Sequence, residues 1–471
     1  MTHKRPTDKS TQGTRKAGVQ PGDYLEVTID YLDEDGCGTG RHDGTPVVVH
    51  GAFPGEDVRV KVELVARRGI IGKLQKVLRH SPDRRRDTVC QASGSCDGCP
   101  LIRLDYAAQL SWKRDLVADQ IGRYSSLKEV PVSPVMASPR PLNYRNSAKL
   151  VVAGRFADPL IGIYRRGTHE VLDIAECPLH HPLINRIIAA VKDGIRKGKV
   201  PVFNQRSGLG LLRYLVVRVA EAENQAMVVF VTARRSYNEV HHLASFVRKQ
   251  VPEVSVVAQN VNPSEGNVIL GAHDLFLTKA KALQTSLGDH RFLVSPRSFF
   301  QVNSGSARLI YEYVRKAAQL TGRETVLDLY CGIGGIALFL AGKAREIIGV
   351  EVVEAAVEDA TRNCRLNGIR NCTFAAGDVV EILALLVEEK RRIDLVVLNP
   401  PRKGCDSIVL TRVASLLPKK IFYVSCSPAS LARDLDTLAT LGYQTLSVQP
   451  VDMFPQTPHV ESVASLVRIA S

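Results

Sequence analysis

The spacing of apolar residues changes along the chain. Between Gly22 and about His80 they alternate in short runs. DYLEVTIDYL alternates, DEDGCGTGRHDG breaks the pattern with turn residues, and TPVVVHGAFPGEDVRVKVELVARRGIIGKLQKVL supplies further strands. Short strands with glycine turns predict a small β-barrel over residues 21–81. Leu104, Leu110 and Leu116, set among Lys and Arg, predict a helix over 102–125. From about 140 to 295 strands and helices mix. There YLVVRVA and QAMVVFVTA read as a strand pair and NEVHHLASFVRKQV as a helix. From 296 the text becomes a regular alternation. ETVLDLY, IIGVEVV, CTFAAGD, IDLVVLNPP and KIFYVSCSP read as strands, with IALFLAGKA and VEDATRNCRLNG as the first helices between them. Strand–helix alternation predicts a doubly wound, Rossmann-like parallel sheet. The chain is thus read as α/β. A basic flexible tail covers 1–20, the small barrel 21–81, a central α+β region 82–295 and the Rossmann-like domain 296–471.

Composition narrows the class. Of 471 residues, 45% are hydrophobic and 23% charged, which is globular rather than disordered. No run reaches the roughly 18 apolar residues of a membrane span. MTHKRPTDKSTQGTRKAG is charged without an apolar core, so no secretory signal is expected and the cytoplasm is. The net charge of +14 suits a polyanionic partner. Arg59, Lys61, Arg67, Arg68, Lys73, Lys76, Arg79, Arg84, Arg85 and Arg86 crowd the late barrel and its exit. A charge run is ordinarily a solvated face, but this density with few acids favours RNA. Ten cysteines in a long chain without a signal argue against a disulfide framework and for metal binding or catalysis.

The strand Thr325–Tyr330 runs into Cys331-Gly332-Ile333-Gly334-Gly335. Such glycines let backbone approach a ligand at the carboxyl end of a strand, where sheets of this type bind. One glycine turn is weak evidence. Glu351, ending the second strand, can pair with two ribose hydroxyls. Asp378 follows the third strand, within reach of an adenine amino group, and Asn399-Pro-Pro-Arg402 follows the fourth. That spacing is the one a class I S-adenosylmethionine methyltransferase uses, while a dinucleotide dehydrogenase prefers G-x-G-x-x-G. Cys426, in Val424-Ser-Cys-Ser-Pro428, ends a further strand and faces the same crevice. Carbon 5 of uracil is a poor nucleophile until a thiolate adds at carbon 6. A base must then remove the carbon 5 proton, and Glu461 is a candidate. A lone cysteine is more often a small buried hydrophobe, and a lone glutamate a surface residue.

LDLYCGIGG, NPPRKGCD, YVSCSP, HVESV and Ser298-Phe-Phe-Gln-Val-Asn303 stand in order at family-like separations. With these motifs the chain resembles the bacterial 23S ribosomal RNA (uracil-5-)-methyltransferases of the TRAM-domain, iron–sulfur type. The resemblance implies Cys426 as nucleophile and Glu461 as proton acceptor. It implies S-adenosylmethionine contacts at Gln301, Tyr330, Gly332, Gly335, Glu351, Asp378 and Asn399. Residues 22–80 resemble the TRAM domain, an RNA-binding barrel. Cys90, Cys96, Cys99 and distant Cys177 match the ligands of a 4Fe-4S cluster. Four thiolates fit zinc as well. Only one C-x-x-C pair is present, where zinc ribbons have two, so spacing leans toward the cluster. Two positions depart from the family pattern. Asn399 stands where many members have Asp, and an amide donates as well as accepts. N-P-P also occurs in amino-group methyltransferases, which lack the partner cysteine. Gly335 stands where some members have an amide side chain, so backbone would have to contact the cofactor.

The expected protein is a monomeric S-adenosylmethionine-dependent enzyme acting on 23S ribosomal RNA, away from membranes. Two alternatives stay open. One is the same chemistry on transfer RNA, whose enzymes of this resemblance usually lack barrel and cluster. The other is an RNA-binding assembly factor that has lost catalysis. Cys37, Cys364, Cys372 and Cys405 have no assigned role, and Cys331 reads as a packing residue.

Overall fold

The structure, a computed structural model, describes residues 18–469 except Thr88, Arg166, Glu265 and Asn267. The basic tail expected at 1–20 lies almost wholly outside the described residues. The chain forms two compact units, divided between Arg84 and Arg85.

In the first unit, β1 (Tyr24–Leu32), β2 (Gly38–His42), β3 (Thr45–Val49), β4 (Asp57–Ala66) and β5 (Gly69–Arg79) close into a barrel in the order β1-β2-β3-β5-β4. The period-2 pattern sets its inside. Leu25, Val27 and Ile29 from β1 meet Val58, Val60 and Val62 from β4 in one buried cluster. Gly40 lets β2 cross β1, since a Cβ there would lie 2.0 Å from the Thr28 carbonyl oxygen. Glu56 is buried and accepts from the Phe53 N–H at 2.9 Å and from Arg84 Nε at 2.5 Å. Arg84 also lies over the Phe53 ring at 4.6 Å. Arg84 therefore closes the barrel rather than facing RNA, a correction to the basic set read from sequence. Arg59 and Arg79 pair with Glu26 and Asp57, whereas Lys61, Arg67, Arg68, Lys73 and Lys76 are exposed.

The second unit begins with a cysteine-bearing loop and α1 (Tyr106–Gly122). A seven-stranded sheet follows, built from β6 (Ser147–Arg155), β7 (Asp158–Tyr164), β8 (Val171–Asp173), β9 (Leu212–Ala220), β10 (Gln225–Thr232), β11 (Val254–Val261) and β12 (His273–Phe276). Its order is β12-β11-β10-β9-β6-β7-β8, and only β10 and β11 run parallel. Helices α2 (Pro182–Gly198) and α3 (Asn238–Gln250) cover one face. Every residue of β9 is buried because the other face is covered too. The hairpin β13 (Leu283–Leu287) and β14 (His290–Val294) leads to α4 (Ser304–Ala318).

The second sheet contains β15 (Thr325–Leu329), β16 (Glu346–Glu351), β17 (Cys372–Ala376), β18 (Leu395–Leu398), β19 (Lys420–Ser425), β20 (Tyr443–Val451) and β21 (Glu461–Arg468). Between them lie α5 (Gly335–Ala341), α6 (Glu354–Leu366), α7 (Val379–Glu388), α8 (Ser407–Ser415) and α9 (Pro428–Thr440). The order is β17-β16-β15-β18-β19-β21-β20. The first five are parallel, and β21 pairs antiparallel with both β19 and β20. The strand direction of the connections reverses between β15 and β18, which opens a crevice at their carboxyl ends. The sequence pattern anticipated the parallel half. The antiparallel pair lacks the helix-spaced rhythm and went unread.

The segment 452–457 between β20 and β21 is tied down from several elements. Lys113 of α1 donates to Asp452 Oδ1 at 2.6 Å, both side chains being fully buried. Tyr106 Oη donates to Asp452 Oδ2 at 2.9 Å. Gln109 exchanges two hydrogen bonds with Gln456, and Asn303 Nδ2 donates to the Met453 carbonyl. Among the described residues, no helix is long and apolar enough to cross a membrane. Lys113→Ala should cost about 3–5 kcal/mol, because Asp452 is left charged and buried. Urea unfolding of the full chain measures this, and a loss under about 1 kcal/mol would show that water reaches the carboxylate.

Candidate active site

Strand β15 is buried along its whole length and ends at the glycine turn. Tyr330, Gly332 and Gly334 all have positive φ, at 61°, 56° and 82°. Tyr330 bears a side chain in that strained region and is fixed by packing, with burial pushing its phenol up beside Cys405. Gly335 opens α5, and a Cβ there would lie 2.7 Å from Tyr311 Oη. The space an amide side chain would need is therefore occupied by Tyr311. Glu351 Oε2 accepts from the Gly332 N–H at 3.1 Å, and Oε1 accepts from the Val353 N–H at 2.9 Å. The carboxylate thus clamps the glycine turn to the end of β16 and keeps further lone pairs for a ligand. Asp378 caps α7 by accepting from the Val380 N–H at 2.7 Å. The Asn399 N–H donates to the Leu329 carbonyl at 3.3 Å, joining the ends of β18 and β15. Gln301 lies on the segment entering α4, where its carbonyl accepts from Asn146 Nδ2. Phe299, two residues earlier, is 66% exposed.

Cys426 and Glu461 meet through strand register. Ser425 pairs with Ser462 across β19 and β21. In an antiparallel pair the next residue of one strand faces the preceding residue of the other, so Cys426 stands opposite Glu461. Cys426 is half-buried and Glu461 is 5% exposed. Burial pushes the Glu461 carboxyl up to about 7, against a pull downward from Arg402. Burial also raises the Cys426 thiol, the Glu461 charge raises it further, and Arg402 opposes both. Arg402 Nη2 lies 3.2 Å from His459 Nε2. Arg402 and His459 fall within the NPPRKGCD and HVESV motifs, where spacing alone assigns them no role. What marks Arg402 is its influence on both partners, visible only once β19 and β21 are side by side. Asp328 was also missed. Its carboxyl is buried behind the glycine turn and raised by that burial to about 7. An acid inside the otherwise apolar strand TVLDL was the available signal.

Cys90, Cys96 and Cys99 lie on one loop and Cys177 on the turn before α2, and all four are half-buried free thiols. Arg145 holds that turn through backbone bonds to Leu179 and His181. Burial raises the Cys99 thiol, and so do Cys177, Cys96 and Cys90 by their charge. Cys177 is likewise raised by burial and by Cys90. Among the described residues, no group of three or more His, Cys, Asp or Glu side chains converges to hold a single metal ion. The all-sulfur donor set fits a soft-metal centre, since neighbouring thiolates repel unless a cationic core lies between them.

The fold and the crevice define an S-adenosylmethionine-dependent methyltransferase. Residues 105–469 match the tRNA (uracil-5-)-methyltransferase family and residues 18–74 match the TRAM domain. The chain belongs to this family of RNA (uracil-5-)-methyltransferases. It is 61% identical to an uncharacterized RNA methyltransferase of Geobacter sulfurreducens, covering 95% of this chain and 90% of that one. It is 38% identical to another from Halalkalibacterium halodurans, covering 96% and 98%. Among solved structures it resembles the Pyrococcus abyssi tRNA (uracil-54, C5)-methyltransferase in complex with S-adenosyl-L-homocysteine. That likeness has a TM-score of 0.76 at 30% identity and covers 94% of this chain and 99% of that one.

The raised Glu461 carboxyl has a measurable consequence. In the unfolded chain it titrates near 4.5, in the folded chain near 7, so the folded state holds its proton more tightly. The resulting stabilisation is complete below about pH 4.5 and is lost as pH rises through about 7. Relative to Glu461→Gln, the parent should lose up to about 3 kcal/mol across that window. Urea unfolding of both proteins at either end tests it, and a constant difference would mean that Glu461 is ionised throughout.

Proposed function

We propose that this enzyme methylates carbon 5 of a uridine through a covalent adduct between Cys426 and carbon 6. The opposition of Cys426 and Glu461 in the β19–β21 register is the observation that supports this reading most directly. The Cys426 thiolate adds to carbon 6, and carbon 5 becomes nucleophilic. S-adenosylmethionine, when bound, supplies the methyl group. Glu461 then takes the carbon 5 proton, the carbon–sulfur bond breaks, and the uracil double bond returns. Gln301, Tyr330, Gly332, Gly335, Glu351, Asp378 and Asn399 line the cofactor side of the crevice in this reading. The target uridine must leave its stack to reach Cys426.

We take the barrel of residues 21–81 as an RNA grip and residues 296–471 as the catalytic domain. Residues 82–295 carry a 4Fe-4S cluster on Cys90, Cys96, Cys99 and Cys177. Were the cluster bound, Cys90, Cys96, Cys99 and Cys177 would hold it. The transfer is redox-neutral, and the cluster's role is to order the loop. We take 23S ribosomal RNA as substrate, on the motif resemblance. A second reading, transfer RNA, draws on the archaeal tRNA enzyme that spans 94% of this chain.

Labelled S-adenosylmethionine with unmodified ribosomal or transfer RNA, followed by nucleoside mass spectrometry, tests both readings. Label should appear in 5-methyluridine, from ribosomal RNA, and fall by at least about 10³-fold with Cys426→Ala. Glu461→Gln should accumulate an RNA–protein adduct that survives denaturing gels, because the carbon 5 proton is not removed. Label in a base amine would move the chemistry to Asn399. Anaerobically purified protein should carry about four irons with matching sulfide per chain, reduced by Cys99→Ser. One zinc in their place would refute the cluster.

A further inference from the structure

A cleft of about 600 Å³ opens at the edge of the seven-stranded sheet, away from the residues assigned above. Val261 and Leu275, on one face of the edge strands, give it an apolar side, and Arg235, His273, Phe276 and Arg297 also line it. Its one acid, Asp274, is already engaged: Asn260 Nδ2 donates to Oδ1 at 2.8 Å, and Arg297 Nε lies 3.3 Å from Oδ2. The Asp274 side chain is 9% exposed and that of Arg297 45%. The carboxylate therefore anchors one edge of the guanidinium while the remainder faces solvent.

The surroundings extend this chemistry. Tyr237, two residues beyond Arg235, is 66% exposed and stacks on His241 at 5.2 Å with an interplanar angle of 15°. Tyr237 is thus an exposed aromatic ring near Arg235 in the chain, and exposed aromatic rings suit unpaired bases. Arg297 also lies four residues before Gln301 on a segment that Arg218 holds. Arg218 Nη2 donates to the carbonyls of Pro296 and Ser298 on either side of it, and Gln301 follows in the same segment.

We propose that this cleft holds a single-stranded nucleotide of the substrate RNA next to the methylated uridine. The base lies against Val261 and Leu275, and Arg235 and Arg297 meet the adjoining phosphates. The site requires RNA but not either particular RNA, so it stands apart from the choice between ribosomal and transfer substrates.

Ala272→Trp fills the cleft without changing charge. It should weaken binding of a fluorescein-labelled, unmodified, uridine-rich single-stranded oligoribonucleotide about tenfold by anisotropy. Arg235→Gln should weaken it and reduce the salt dependence. Thermal stability and S-adenosylmethionine binding should stay at parent values. If Ala272→Trp binds as the parent does while Arg235→Gln weakens, charge alone is at work and the proposal is overturned. Because a tryptophan can distort an edge strand, the parent protein is also crosslinked to 4-thiouridine-containing RNA. Crosslinks within residues 272–276 support the cleft, and crosslinks confined to other segments refute it.

Discussion

The buried pair of Lys113 and Asp452 is the constraint on which the active site depends. Taking two charges out of water is costly, and the pair is tolerable because each has further partners. Lys113 also donates to the Phe454 carbonyl, and Asp452 also accepts from Tyr106. These bonds fix segment 452–457 against α1, and the chain then has only a few residues before Glu461. Gln456 extends the same tie, since its carbonyl accepts from the Leu101 N–H at the end of the cysteine loop. The cysteine loop is thereby tied through Leu101 and Gln456 to the segment that leads into Glu461.

The antiparallel end of the second sheet supplies what the parallel half cannot. Parallel strands set their loops side by side at one edge, which suits a cofactor lying across several strand ends. The proposed covalent mechanism also needs a nucleophile and a base at the same end of the sheet. β19 ends at this edge and β21, running the other way, begins there. Their register sets Cys426 opposite Glu461 with no long loop to order.

Legibility in the sequence followed the range of the signal. Glycine turns, strand–helix rhythm and the cysteine spacing are local, and they forecast the barrel, the parallel strands, α1 and the glycine turn. The roles of Arg84 and Lys113 are not local. Arg84 stood in a run of cations, and only the burial of Glu56 separates it from its neighbours. Lys113 is one of several cations in the helix read over 102–125, and its partner lies more than three hundred residues away. Asn399 and Gly335 were read as departures from a pattern. The structure accounts for the glycine, because Tyr311 fills the space.

Arg402 shows why a single cation serves this site. Cys426 and Glu461 each resist ionisation because they are buried, and the Glu461 charge raises the Cys426 thiol further. A lysine could hold one of them as a point charge. A guanidinium presents its donors in a fixed plane, so it can face a thiolate, a carboxylate and a ring nitrogen together. His459 already occupies one edge of Arg402. The cation is thereby kept at the mouth of the site, where it lowers both groups while leaving the carboxyl near neutrality. In the proposed reaction, a base that ended lower would be too weak to take the carbon 5 proton, and one that ended higher would stay protonated.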